Sequence, residues 1–334
     1  MSSSSPNKLA KQLSKKSRKK EKLSKNKQIV DDSDLTTDTE YDHMEKHDEE
    51  LLESLQVELR EWTLSQPHFV NPRIDQPFLR RFLHHRNNSL QQAKEVLEKY
   101  FKVRTNFPHC YQRLDITDPT LYDLMSNGYV FPLPEKDKDG RTVVFGIAGK
   151  LDPKRHSPSD LFRAFVITFE TLLEDEDNQR KGFTYVFDQS DFSLAHFTFV
   201  GLRETQRLLS TGEKAMPMRH RKIHWFNMPT CLLFIYDLFK GLIKDKFQKR
   251  MVVHWTLDSL QQHIPVKILP KEYGGQFTVR ELAARWVEKL QERREHLLSL
   301  DHMLYDETKK PKEKKESSES IFSFIGRLAW MDAY

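Results

Sequence analysis

The sequence predicts an α/β protein in which a helical N-terminal subdomain precedes an α/β layer with a largely parallel sheet. Three observations carry this expectation. Apolar residues recur at helical spacing in three short segments before any strand pattern appears. From Asn127 onward, strand-like and helix-like runs alternate, as they do where crossover helices join parallel strands. Within that series Phe183-Thr-Tyr-Val-Phe-Asp188 is β-prone throughout with no apolar/polar alternation, which fits a strand covered on both faces.

The first helix is read from Glu45, on Leu51, Leu52, Leu55, Val57, Leu59 and Trp62, and must end before Pro67. Phe78, Leu79, Phe82 and Leu83 place a second helix over Gln76 to His84. Asn87-Asn88-Ser89 supplies a turn and an N-cap for a third, striped by Leu90, Ala93, Val96, Leu97, Tyr100, Phe101 and Val103. Tyr129-Val-Phe131 and Thr142 to Ile147 read as strands joined by the turn Lys138-Asp139-Gly140. After the cap signal Ser157-Pro158 a helix is expected from Ser159 to about Glu174. The strand Phe183–Asp188, a helix near Phe197 to Leu209, the strand Ile223 to Phe226, a helical run from Thr230 and Met251 to Trp255 continue the series. An amphipathic helix over Glu281 to Leu300 closes it.

At 334 residues with 37% hydrophobic content, the chain can bury a sizeable core. Its net charge of +5 hides an asymmetry, because a Lys/Arg-rich segment over residues 1–28 is followed by an Asp/Glu-rich one over 31–50 that nearly cancels it. Cys110 and Cys231 stand far apart without a metal-type spacing, so reduced thiols in a cytosolic protein are expected. No apolar stretch approaches the ~18–20 residues of a membrane span, and the polar start lacks the core of a secretory signal, so membrane contact should be peripheral. Nothing resembles G-x-S-x-G, H-E-x-x-H or a Gly-rich nucleotide loop, and Ala148-Gly149-Lys150-Leu151 fails the P-loop pattern. The chain is therefore read as a non-enzyme with no cofactor and no metal site.

One stretch stands out. Arg219 to Asn227 opens with Arg219, Arg221 and Lys222, and is followed by the apolar run Cys231 to Ile243 and then by Lys244-Asp-Lys-Phe-Gln-Lys-Arg250. Cations thus flank a segment too apolar to sit in water, an arrangement suited to an amphiphile with an anionic head.

Several stretches together resemble the CRAL-TRIO lipid-binding family, in the branch of clavesins, retinaldehyde-binding protein and tocopherol transfer protein. They are Phe78 to Arg86, Lys138 to Arg141, Asn178 to Phe183, Pro217 to Arg219, Ile223 to Asn227 and Ile268 to Gly275, in the family's order over roughly residues 45–300. The resemblance implies a CRAL-TRIO fold, with a helical subdomain against a sandwich whose sheet floors a hydrophobic cavity closed by a gate helix. The expected organisation is a disordered basic-then-acidic tail over 1–43, a helical subdomain over 44–118, the lipid-binding domain over 119–277, a C-terminal helix over 278–304, and a charged linker with an apolar tail over 305–334.

The same resemblance assigns site residues. A phosphatidylinositol bisphosphate head would be held at Arg86, Arg219, Arg221, Lys246 and Arg250, all basic here. Arg offers a planar, bidentate fork to phosphate and Lys a point charge. Arg219 and Arg221, two apart in an extended run, are expected to project to one side. The cavity would be lined by Phe162, Phe165, Phe169, Phe183, Phe187, Phe192 and Ile223, although such rings could equally pack as core. Bulky Phe at several of these positions, and Asp191 where relatives often carry Gly, depart from the family pattern. The gate would carry Leu232, Leu233, Ile235, Phe239, Leu242 and Ile243, a run that also fits an ordinary core helix.

The expected function is lipid binding or transfer, with a hydrophobic small lipid in a gated cavity and a phosphoinositide read at an anionic membrane surface. The alternative is a non-transporting trafficking scaffold or adaptor recruited by its tails. Nucleic acid is not expected as a partner, and the expected location is cytoplasmic, peripheral to endosomal or Golgi-derived membranes. The basic segment Lys8 to Lys27 and the apolar segment Ile321 to Trp330 fit membrane attachment, among other roles.

Overall fold

The computed structural model describes residues 46–193, 195–196, 199, 215–229 and 248–311. The expectations for the 1–43 tail, the helix near 197–209, the gate over 229–243, Lys246, Cys231 and the 321–330 segment therefore lie wholly or mostly outside the described residues. The chain divides into Met1–Leu51, of which only the start of the first helix is described, and Leu52–Tyr334.

Helix α1 spans Lys46–Ser65 and buries Leu52 and Leu59, seven residues apart on one face. A two-residue strand, β1 at Phe69–Val70, follows and pairs antiparallel with Leu304–Tyr305. Helix α2, Gln76–His85, begins at Asp75, whose carboxylate accepts from Phe78 N at 3.3 Å, with Pro77 in the first turn where its missing N–H does no harm. Its buried face includes Phe78, Leu79, Phe82 and Leu83, the residues the spacing selects. Helix α3, Leu90–Asn106, follows a turn in which Asn87 and Asn88 both adopt positive φ. Ser89 occupies the N-cap as expected, but its side chain makes no capping bond.

Strands β2 (Val130–Pro132), β3 (Thr142–Ile147), β4 (Phe183–Asp188), β5 (His220–Phe226) and β6 (Met251–His254) form a five-stranded sheet in that spatial order. Within it the β2/β3 pair is antiparallel, and β3, β4, β5 and β6 pair parallel. Every residue of β4 except Phe187 is buried, in line with its β-prone run without alternation. The register places Gly146, Phe187, Trp225 and Val253 side by side, and likewise Val144, Tyr185, Ile223 and Met251, all on one face. On the other face Phe145 stacks on Phe131 at 5.8 Å and meets Tyr273 at 5.0 Å.

Four differences from the sequence reading have local causes. The pairing of β1 with Leu304–Tyr305 is too short to show a period in the sequence. The register between β4 and β5 shifts at Phe183/Thr184, so His220 and Lys222 sit opposite consecutive residues of β4 and Arg221 is the extra one. A short helix, Glu176–Lys181, intervenes before β4, capped by the Asp175 side chain and stopped by Gly182. The closing helix is two: Val279–Glu292, with a Thr278/Glu281 capping box, and Arg294–Ser299, separated at Arg293.

The helix Pro158–Leu172 is capped reciprocally by Ser157 and Asp160. From it Glu170, fully buried, accepts from Arg81 Nη1 at 2.9 Å and from Tyr100 Oη at 2.7 Å, and lies 3.6 Å from Arg104 Nη1. Glu174, one turn on, takes both terminal nitrogens of Arg73 at 2.8 and 2.9 Å. This buried cluster ties α2 and α3 to the helix that packs on the sheet.

Candidate anion site and aromatic face

The N-terminal ends of β4 and β5 gather the basic positions. Arg219 donates from Nη1 to the Arg180 carbonyl at 3.0 Å and from Nη2 to Asn87 Oδ1 at 2.9 Å, with a further bond to the His84 carbonyl. Arg221 donates from Nε to the Lys181 carbonyl at 2.9 Å. Arg250 donates from Nη1 to the His220 carbonyl. Arg219 and Arg221 thus rest on the last turn of the Glu176–Lys181 helix, and Arg219 also on the end of α2, where exposed carbonyls carry partial negative charge. Carbonyl acceptors orient each guanidinium through its N–H groups.

Gly182 makes this approach possible. Its φ of +81° and ψ of −162° are essentially reserved to glycine, and a Cβ there would come within 2.5 Å of the Arg219 carbonyl oxygen. Arg86, the residue that ends α2, is half-buried, and its Nε has no acceptor among the described residues.

Three histidines beside these cations have their pKa lowered by burial first and by the nearby positive charge second. The pKa of His85 is pushed down to about 3 by burial first, then by Arg86, His220 and Arg219. That of His220 is pushed down to about 4, by burial and then by Arg250. His84 is lowered by burial and by Arg219 and Arg180, against the raising effect of its 3.0 Å contact with Glu176. Arg219 bonds Asn87, the neighbour of Arg86, Arg221 shares a helix end with Arg219, and Arg250 bonds the carbonyl of His220 between them, which brings these four cations to one region; Lys246 lies outside the described residues. Simple alternation overlooks the register shift at Arg221, yet Arg219 and Arg221 both reach the same helix end.

Beside the cations lies an aromatic face. Phe165 and Phe169, one turn apart on the Pro158–Leu172 helix, meet the rings of β4: Phe165 with Phe187 at 6.1 Å, Phe169 with Phe183 at 5.5 Å and with Tyr185 at 5.9 Å. Tyr185 stacks on Phe187 at 5.9 Å, and Phe187 packs on Trp225 at 5.2 Å. Ile223 sits on the same face between Tyr185 and Met251. Phe162 is half-buried, about one turn before Phe165 on the same helix. Phe192 lies apart, in the turn after β4, where it stacks on His196 at 5.1 Å. His220 joins the two regions: its ring nitrogen Nδ1 bonds Tyr185 Oη at 2.7 Å while its carbonyl anchors Arg250.

Sequence reasoning missed Asn87, His84, His85, Tyr185 and Trp225 as neighbours of the site, along with the Arg180 and Lys181 carbonyls. The Asn87-Asn88 turn and the Asn178–Phe183 stretch were visible, but main-chain acceptors leave no residue-type signal. Among the described residues there is no grouping of His, Cys, Asp or Glu able to hold a metal, and no helix long and apolar enough to cross a membrane.

A helical region ahead of a five-stranded, mostly parallel sheet, with cations at one end of its central strands, defines an α/β protein of a recognisable kind. Residues 126–275 match the CRAL/TRIO domain and residues 48–121 match the Pinta-like UBA domain, so the chain carries a CRAL-TRIO domain, and it is similar to the clavesins. Clavesin-1 of Xenopus laevis is 29% identical over 219 residues, covering 65% of this chain and 66% of that protein. Clavesin-2 of Mus musculus is 28% identical over 219 residues, covering 65% of this chain and 67% of that protein. The chain thus spans about two thirds of the length of these relatives. The crystal structure of Sfh5 aligns over 86% of this chain and 99% of that chain, at 12% identity and a TM-score of 0.48, a likeness too loose to add to the assignment.

Proposed function

We propose that this protein binds and transfers a lipid, holding the apolar body against the aromatic face and reading a phosphoinositide head at Arg86, Arg219, Arg221 and Arg250, with Lys246 as the fifth cation. The observation that carries the reading is the juxtaposition made by His220, whose carbonyl accepts from the Arg250 guanidinium while its ring bonds Tyr185 of the aromatic face. Arginine forks recognise phosphate oxygens bidentately, and the aromatic face removes apolar surface from water at ~25 cal/mol per Å². The CRAL/TRIO domain match over residues 126–275 supports the same reading. Transfer needs no chemical step, so the protein acts as a carrier and not as an enzyme. Recruitment through anionic lipids makes it peripheral to membranes, and the endosomal surface is the proposed site of action. The segment 229–243 is proposed as the gate, through Leu232, Leu233, Ile235, Phe239, Leu242 and Ile243.

Lipid extraction of the purified full-length protein, followed by mass spectrometry, tests the cavity. A carrier returns stoichiometric lipid, whereas a scaffold recruited only by its tails returns none. Cosedimentation with phosphatidylcholine vesicles containing about 5% phosphatidylinositol bisphosphate tests the head-group site. Binding should exceed that to plain phosphatidylcholine and should fall in the Arg219→Ala/Arg221→Ala double variant.

A further inference from the structure

Trp225 stands at the β5 position level with Phe187 and Gly146, on the aromatic face. Its ring packs on Phe187 at 5.2 Å. Gly146 helps to set the Phe187 ring in place, because a Cβ there would lie 2.7 Å from Phe187 Cδ1. The indole nitrogen of Trp225 is buried and has no hydrogen-bond acceptor among the described residues.

Neighbouring polar groups of the same face are already engaged. Tyr185 Oη bonds His220 Nδ1 at 2.7 Å, and Thr142 Oγ1 donates to Asn178 Oδ1 at 2.6 Å. An indole N–H can only donate, and buried donors in folded proteins are nearly always paired. A donor left over in the middle of a ring-lined surface lacks the acceptor that an occupant of that surface would bring.

We propose that Trp225 is a specificity-determining residue, donating its N–H to an oxygen of the bound lipid. The occupant is then a lipid whose apolar body carries an uncharged acceptor oxygen, a hydroxyl, carbonyl or ester, and a plain hydrocarbon is discriminated against. This rests on the lipid-carrier reading above and adds to it the chemistry of the cargo. Apolar contacts with Phe165, Phe187 and Ile223 supply affinity without direction, and the indole supplies a directional contact on this part of the face.

The test is equilibrium binding of three C18 probes to the full-length protein: cis-9-octadecen-1-ol, methyl oleate and cis-9-octadecene. One neutral hydrogen bond predicts that wild type binds the alcohol or the ester about three- to tenfold more tightly than the alkene. Trp225→Phe keeps an aromatic ring but removes the N–H, so its preference for the alcohol or ester over the alkene should collapse to near one. Equal wild-type affinities for all three probes, or a Trp225→Phe variant that keeps the preference, would overturn the inference while leaving the carrier reading intact. Wild type that binds none of the probes would overturn both. The wild-type comparison stands even if the variant does not fold.

Discussion

Replacing Glu170 by Gln should destabilise the protein far more than a surface substitution. Glu170 is fully buried, as are Arg81 and Arg104, so its carboxylate is a counter-charge to two guanidinium groups shielded from water. Gln keeps the shape and one acceptor for Arg81 Nη1 or Tyr100 Oη, but removes the negative charge. Glu174 still pairs Arg81, whereas Arg104 is left with Asp301 at 3.7 Å. Breaking a buried pair on one side costs about 3–5 kcal/mol, and the retained acceptor places Glu170→Gln near the lower end, about 3 kcal/mol. At about 2–4 °C per kcal/mol for a domain of this size, the melting temperature should fall by about 6–12 °C in calorimetry at pH 7. Adding Arg104→Met should make the double variant lose less than the sum of the two single losses, by about 1 kcal/mol or more, because the unpaired cation is gone. A Glu170→Gln shift below about 2 °C, or strict additivity in the double variant, would refute the claim that charge compensation holds the helical region onto the sheet.

Three further outcomes follow from other parts of the molecule. Gly182→Ala should cost about 1–3 kcal/mol in urea unfolding, since only glycine tolerates its backbone angles, and should weaken binding to phosphoinositide vesicles by displacing Arg219; unchanged vesicle binding would contradict the role given to this close approach. His220, His224 and His254 are held below the ordinary 6.5, at about 4, 3 and 4, by burial first. Between pH 6.5 and about 4 the unfolded chain therefore binds more protons than the folded one, and stability falls as pH falls through that window. Melting temperatures at about pH 7.5 and 5.5 check the sign, and an equal or higher value at the lower pH would contradict it. Deleting residues 1–28 should weaken vesicle binding less than Arg219→Ala/Arg221→Ala does; the reverse order would move recruitment to the basic N-terminal segment.

The central strand of the sheet was legible because burial on both faces leaves Phe183 to Asp188 as a β-prone run with no apolar/polar alternation. Helix α2 was legible because Phe78, Leu79, Phe82 and Leu83 recur at helical spacing on its buried face, and Pro158–Leu172 because Ser157 caps it just ahead of Pro158. The break at Arg293 was not, since residues on both sides of it favour helix and only packing decides. The Arg81–Glu170 cluster was hidden for a different reason: charged residues on amphipathic helices ordinarily face water, and these pair 89 positions apart in the chain. At the site, residue types pointed to the arginines, but the elements that hold them, a short helix and main-chain carbonyls, carry no such mark. Resemblance supplied the grouping that spacing alone could not.

The central claim is that cations at the ends of β4 and β5 and the ring-lined face beside them act as one lipid-exchange site. The most direct measurement is the rate at which the protein moves a fluorescent lipid between phosphatidylcholine vesicles, with and without phosphatidylinositol bisphosphate in the acceptor membrane. The phosphoinositide should accelerate transfer by wild type, and Arg219→Ala/Arg221→Ala should lose that acceleration with lipid still bound. Transfer that ignores the phosphoinositide, or a double variant that responds as wild type does, would contradict it.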